Sequence, residues 1–159
     1  MNLLILDAGH SFSTAGKRNE KENFYEWQFN NDMQYKIKSR CEDLGIKVFL
    51  TNPNPQNVSD IALGVRAKLA NDYWIKNNKP KSMFISLHAN AFSNESARGT
   101  ETYVSKNASA TSKNFAKVLN DNIVKAMKNI DPASKVFSFN PSIFRSRIYI
   151  FHGFYYIII

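Results

Sequence analysis

Asn2-Leu3-Leu4-Ile5-Leu6-Asp7-Ala8-Gly9-His10 is the stretch on which the fold turns. An apolar run of this length, closed by a glycine, reads as a strand buried on both faces. His10 then falls just past the strand's carboxyl end. In open α/β sheets ligands bind at that edge, because its loops are held by a rigid sheet yet stay open to solvent. A histidine so placed is a candidate metal ligand or acid/base. The plainer alternative is a loop histidine without a role.

Downstream, Ser11 to Tyr25 is polar and carries Gly16, which predicts a long loop over the sheet edge. From Glu26 to Leu44 the pattern turns helical. Phe29, Met33, Ile37, Cys41 and Leu44 recur at three- and four-residue spacing and predict one apolar face. Gly45 stands where a C-terminal glycine ends a helix. Ile46 to Leu50 predicts a second strand, and Pro53 and Pro55 keep the next segment irregular. Ser59 suits a helix N-cap. Ile61, Val65, Leu69 and Tyr73 predict that helix's buried stripe, with Ala62, Ala70 and Trp74 beside it, and Asn77, Asn78 and Pro80 stop it.

Met83 to Leu87 predicts a third strand, with His88 at its carboxyl end as His10 is on the first. Asn90 to Arg98 is polar loop, and Gly99 to Val104 alternates like a strand. Ala110 to Met127 predicts a third helix with Phe115, Val118, Leu119, Ile123 and Met127 on one side. The order β-α-β-α-β-β-α predicts a three-layer α/β/α fold: a mostly parallel sheet, helices on both faces, and one antiparallel pair around the 90–98 loop. No repeat, low-complexity segment or domain linker interrupts it.

Composition narrows the function classes. The chain has 159 residues, enough for one domain with a real core, and 43% are hydrophobic against 21% charged. A formal net charge of +8 suits an anionic partner: nucleic acid, a membrane surface or an acidic cell-wall polymer. The lysines are scattered and no helix-turn-helix or basic helix is recognisable, so nucleic acid is not expected. A single cysteine, Cys41, excludes a disulfide framework within one chain. No run is long enough for a transmembrane helix. The N-terminus has neither the basic region nor the small-residue cleavage site of a signal peptide. The expectation is a monomer that is cytoplasmic until released.

Two histidines at the carboxyl ends of two strands can converge on one point. Zinc takes imidazole nitrogen and carboxylate oxygen, and a catalytic site keeps one position for water, so a third protein ligand is needed. Glu26 opens the first helix on that side of the sheet, where a helix N-terminus favours a negative charge. The spacing of 10, 26 and 88 is not a compact motif, and Glu20 and Glu22 in the preceding loop compete for the same role.

The wording of the sequence carries more than its spacing. Leu4-Ile5-Leu6-Asp7-Ala8-Gly9-His10 resembles the opening strand of the zinc-dependent N-acetylmuramoyl-L-alanine amidases, which cut peptidoglycan between the muramic acid lactyl group and the L-alanine of the stem peptide. Glu26-Trp27-Gln28-Phe29-Asn30 resembles that family's second block, a ligand glutamate followed four residues later by asparagine. Leu63-Gly64-Val65-Arg66 with Ala70-Asn71 is similar to its L-x-x-R-x-x-x-A-N helix. Phe84-Ile85-Ser86-Leu87-His88-Ala89-Asn90-Ala91 is close to its F-I-S-I-H-A-N-A block, the most specific of the set. Gly99 to Val104 matches the strand that follows.

The resemblance implies an amide hydrolase of the phage endolysin or autolysin kind, acting on peptidoglycan at the cell wall. It implies Zn2+ as cofactor, held by His10, Glu26 and His88. Asp7, Asn90 and Glu101 are candidates for supporting a ligand or touching substrate. Arg66 and Asn71 read as structural. The excess positive charge would suit anionic wall polymers.

One part of the pattern is missing. The family's general base is a second glutamate on the last strand, in a V-x-x-E-x-x-F-type block. Past Glu101 this chain has only Asp121 and Asp131 as carboxylates, and neither matches. Residues 134–159 are aromatic-rich and without an acidic residue, and they stand where the family's last helix and strand are expected. The resulting division is an incomplete amidase domain over residues 1–133 and an atypical tail over 134–159, as truncation or a frameshift would leave. The alternative reading is a zinc- or wall-binding relic without catalysis.

Overall fold

The chain runs β1 (Leu3–Ala8), β2 (Arg18–Asn19), β3 (Phe24–Tyr25), α1 (Glu26–Asp43), β4 (Lys47–Leu50), α2 (Leu63–Lys76), β5 (Ser82–Ala91), β6 (Gly99–Tyr103), α3 (Ala110–Lys128), β7 (Lys135–Val136) and β8 (Tyr149–Ile158). The computed structural model describes residues 1–15, 18–21, 23–56, 59–91, 99–105, 107–129, 135–136 and 149–158. It is a mixed α/β structure with parallel strand pairing and, among the described residues, three helices. Contacts divide it into two units, residues 1–88 and 89–159.

In the first unit β1 is the middle strand and all six of its residues are buried. It pairs in parallel with β4 on one edge, Leu3 opposite Lys47 through Leu6 opposite Leu50. On the other edge it pairs in parallel with β5, Leu3 opposite Ser82 through Ala8 opposite Leu87. A strand enclosed in this way must be apolar on both faces, which is why Leu3 to Leu6 carries no alternation. Leu3 and Ile5 pack with Ala70, Tyr73 and Trp74 of α2, together with Phe49 and Phe84. Phe49 and Tyr73 stack with ring centroids 3.9 Å apart. Leu4 and Leu6 face the other way, and α1 packs on β1 and β4. Helices therefore cover both faces of these three strands, as expected.

Both helices end as their sequences predict. Gly45 takes φ +75°, its N–H donates to Glu42 O at 2.9 Å and the N–H of Ile46 to Cys41 O at 2.9 Å, the Schellman pairing that satisfies the last carbonyls. At the end of α2, Asn78 has φ 62° and plays the same part, with Lys79 N–H donating to Trp74 O at 3.0 Å.

The helix faces correct the apolar-stripe reading. In α1 the fully buried residues are Glu26, Asn30 and Gln34, while Phe29, Met33, Ile37 and Cys41 are half-buried and Leu44 is exposed. In α2 the buried residues are Arg66 and Ala70, and Val65 and Leu69 lie outward. The cause in α2 is a charge: Arg66 turns inward to meet the buried Asp7 carboxylate, and this sets the register one residue away from the apolar one. The helix also starts later than Ser59, with Ala62 as N-cap and no side-chain cap bond. Between residues 11 and 25 the expected loop contains a short antiparallel ladder, Arg18 opposite Tyr25 and Asn19 opposite Phe24.

In the second unit β6 is flanked on both edges and both pairings are parallel. Gly99 lies opposite Lys135 of β7, and Gly99 through Tyr103 lie opposite Phe154 through Ile158 of β8. The expected antiparallel pair around residues 90–98 is thereby ruled out, because neither edge of β6 is left for β5. The loop itself lies outside the described residues. Helix α3 is capped by Ser109, whose hydroxyl accepts the Ser112 N–H at 3.1 Å, and packs on β6. Ala116, Asn120 and Val124 are its buried positions, and Thr102 Oγ1 donates to Asn120 Oδ1 at 3.2 Å. Val118, expected on the buried side, is exposed. Of the tail, β7 and β8 are described; residues 137–148 lie outside the described residues.

Candidate metal centre

Three elements of the first unit bring His10, Glu26 and His88 together. His10 follows β1, Glu26 is the first residue of α1, and His88 lies within β5, which runs on to Ala91 past the strand end expected at Leu87. His10 Nε2 is 3.5 Å from Glu26 Oε1, and His88 Nδ1 is 3.1 Å from the same oxygen. The two imidazoles meet edge to face, centroids 4.9 Å apart at 80°. Each residue offers one ligand atom, and all three atoms lie within 4.8 Å of one another. Two ligands each about 2.0–2.1 Å from a tetrahedral zinc ion lie about 3.4 Å apart, so the two measured separations match the spacing such an ion requires.

Burial supports the same use. Glu26 is fully buried while the two imidazoles each keep 12% of their side-chain surface exposed. A buried carboxylate is favoured by positive charge nearby, which the N-terminal turn of α1 and a bound cation can each supply. The backbone makes room for one ring: a Cβ on Gly9 would lie 2.1 Å from Cε1 of His88. Two imidazoles and a carboxylate, with one side open to solvent, form a donor set that fits a zinc ion and a water.

The remaining sequence candidates separate. Asp7 is buried and faces α2, away from the role expected of it. Its carboxylate accepts from Thr51 Oγ1 at 2.5 Å and Ser86 Oγ at 2.6 Å and is paired with Arg66. It ties two strands to α2, which also gives Arg66 the structural role expected. Glu101 lies on β6 in the second unit, where the Tyr103 hydroxyl donates to it. Asn90 is on β5, with its side chain outside the described residues. Glu20 pairs with Arg18 at 2.9 Å on the surface, and Glu22 lies outside the described residues. Asp121 pairs with Lys117 at 2.5 Å on an exposed face of α3, and Asp131 lies outside the described residues.

Sequence reading passed over two residues beside this centre. Asp60 Oδ2 lies 4.0 Å from His10 Nδ1, the nitrogen on the far side of the ring from Glu26, and accepts from Thr14 Oγ1 at 2.7 Å. At that separation the two can pair as ions but are too far apart for a hydrogen bond. Asn52 donates to the carbonyls of Ala8 and His10, both at 3.0 Å. Asn52 could have been found, because it stands just past the carboxyl end of β4, as His10 does past β1.

The N-acetylmuramoyl-L-alanine amidase family model, Amidase_3, matches residues 4–150, and the chain belongs to that family. The match runs on into the segment expected as an atypical tail. Among solved structures the chain is similar to the catalytic domain of CwlV, an N-acetylmuramoyl-L-alanine amidase from Bacillus (Paenibacillus) polymyxa var. colistinus. Identity is 25% and the TM-score 0.63, over 99% of this chain and 79% of that one. No curated protein matches the sequence. Among the described residues no helix is long and apolar enough to cross a membrane.

Proposed function

We propose that this chain is a zinc-dependent peptidoglycan amidase whose ion is held by His10, Glu26 and His88. The carrying observation is that two imidazole nitrogens lie 3.5 and 3.1 Å from one buried carboxylate oxygen. Zinc, when bound, supplies a Lewis acid that polarises an amide carbonyl and makes a water more acidic. Glu26 lowers the charge of the centre and holds its place through the first turn of α1. The partly open imidazoles leave a side from which the amide between muramic acid and L-alanine can approach. The net charge of +8 favours an anionic wall polymer near the substrate, and the protein acts as a monomer at the cell wall.

Amide hydrolysis also needs a base that takes the water's proton and passes it to the leaving amine. Beyond Glu101 these 159 residues offer Asp121 and Asp131 as their carboxylates. Asp121 is engaged by Lys117, and the Glu101 carboxylate accepts from Tyr103. We therefore propose that these residues alone turn over slowly, about 10²–10⁴-fold below an amidase with its base in place. The same observation favours a second reading, a zinc- or wall-binding protein without catalysis. Zinc content of the purified protein and release of stem peptide from cell walls test both. Stoichiometric zinc with slow release is the expected result. Zinc with no release favours the second reading, and absence of zinc removes the first.

A further inference from the structure

The ligand histidine of β1 is carried by an unusual piece of backbone. His10 has φ 67°, in the left-handed region that residues with a Cβ rarely hold unaided. Three successive carbonyls lead through it, and each accepts a bond from a buried side-chain amide. Asn52 Nδ2 donates to Ala8 O and to His10 O, both at 3.0 Å, and Asn30 Nδ2 donates to Gly9 O at 3.0 Å. Asn52 is 1% exposed, and its own carbonyl accepts from Gln34 Nε2 at 2.8 Å. Gln34, Asn30 and Glu26 are the three buried residues of α1, spaced four apart on one face. One helix therefore supplies a metal-centre carboxylate, a bond to the turn beneath His88, and the support of Asn52.

We propose that Asn52 is a positioning residue of the metal centre. By bonding the carbonyls on either side of Gly9 it holds His10 in the left-handed conformation, and so sets the direction in which the imidazole meets Glu26 and His88. The inference rests on the reading of His10, Glu26 and His88 as a zinc centre. A merely structural Asn52 would satisfy the same carbonyls without affecting the metal, and the two roles separate experimentally.

Zinc affinity of the full chain is measured by competition with a chromophoric chelator, and the visible spectrum of the cobalt-substituted protein reports ligand geometry. Asn52→Asp keeps the shape but places an acceptor where the donor stood. It is expected to weaken zinc binding about 10–100-fold and to change the cobalt bands. Thr51→Val is the control, since Thr51 is the adjacent buried residue and bonds Asp7 instead. It is expected to lower the unfolding midpoint while leaving zinc affinity and cobalt spectrum unchanged. Gln34→Met removes the support one step further out and is expected to weaken zinc binding less than Asn52→Asp does; it decides the matter if Asn52→Asp does not fold. A parent that binds zinc alongside a folded Asn52→Asp of equal affinity and spectrum overturns the inference alone. So does a Thr51→Val loss as large as that of Asn52→Asp, or, where only Gln34→Met folds, unchanged binding by it. A parent that binds no zinc overturns the metal-centre reading and this inference together.

Discussion

Gly9 and His88 occupy one space: the imidazole lies where a side chain on residue 9 would begin, with Cε1, Nε2 and Nδ1 at 2.1, 2.5 and 2.6 Å from a Cβ built there. The clash is with a ring that cannot retreat without leaving Glu26. Gly9→Ala is therefore expected to displace His88 and to reduce zinc binding at least as strongly as the loss of a supporting residue, about 10–100-fold. Equilibrium dialysis against buffered zinc checks it. Unchanged affinity would show that His88 reaches the ion from another rotamer.

A ligand that binds only the native state raises stability by mass action. With free zinc at one hundred times its dissociation constant the gain is about 2.7 kcal/mol. At 159 residues this raises the unfolding midpoint by about 5–11 °C. Chelation with EDTA is expected to lower the midpoint by that amount, and re-addition of zinc to restore it. His88→Ala is expected to unfold at one temperature with and without zinc. Scanning calorimetry of both proteins in both buffers decides, and a zinc-dependent shift retained by His88→Ala would refute the ligand set.

Asp7 and Arg66 form a pair buried between β1 and α2, with side-chain exposures of 0% and 8%. Truncating one partner of such a pair leaves a charge without water or counter-charge, which costs about 3–5 kcal/mol. The bonds from Thr51 and Ser86 still reach Asp7, so Arg66→Met is expected near the lower end, about 3 kcal/mol. The double variant Asp7→Asn with Arg66→Met is expected to recover part of that loss. Urea unfolding of the single and double variants measures both. A single-variant loss under about 1 kcal/mol would mean that Asp7 relaxes to solvent.

The same residues show what was legible in the sequence. The β1 run and the glycine that ends α1 could be read directly, because a buried parallel strand and a left-handed helix end each demand particular residue types; spacing left Glu20 and Glu22 open beside Glu26, and only the family resemblance singled out His10, Glu26 and His88. The helix faces could not be read. Periodicity assumes that apolar side chains point inward, but α1 buries Glu26 beside His10 and His88 and spends Asn30 and Gln34 on the carbonyls of Gly9 and Asn52, and α2 buries Arg66 to meet Asp7. A polar residue that spends its bonds on a distant backbone carbonyl, as Asn52 does on Ala8 and His10, leaves no periodic trace. The pairing of β6 was missed for a related reason: closeness along the chain favours a hairpin with β5, whereas the partners β7 and β8 lie far downstream.

Cys41 is half-buried on α1 and is the one thiol of the chain. Burial pushes its pKa up, and the neighbouring Glu42 carboxylate adds to the rise. The native thiol thus stays protonated to higher pH than the thiol of the unfolded chain. Its contribution to stability is full below the unfolded pKa and is lost as pH rises through the native one. Relative to Cys41→Ser, the parent protein is expected to lose stability above about pH 8.5, where an unfolded thiol ionises. Paired urea titrations from neutral to alkaline pH check the sign. Alkylation by iodoacetamide offers an independent reading, since thiolate is the reacting form. At neutral pH the native thiol is expected to react more slowly than the denatured one, and equal rates would show that helix α1 gives it no shelter.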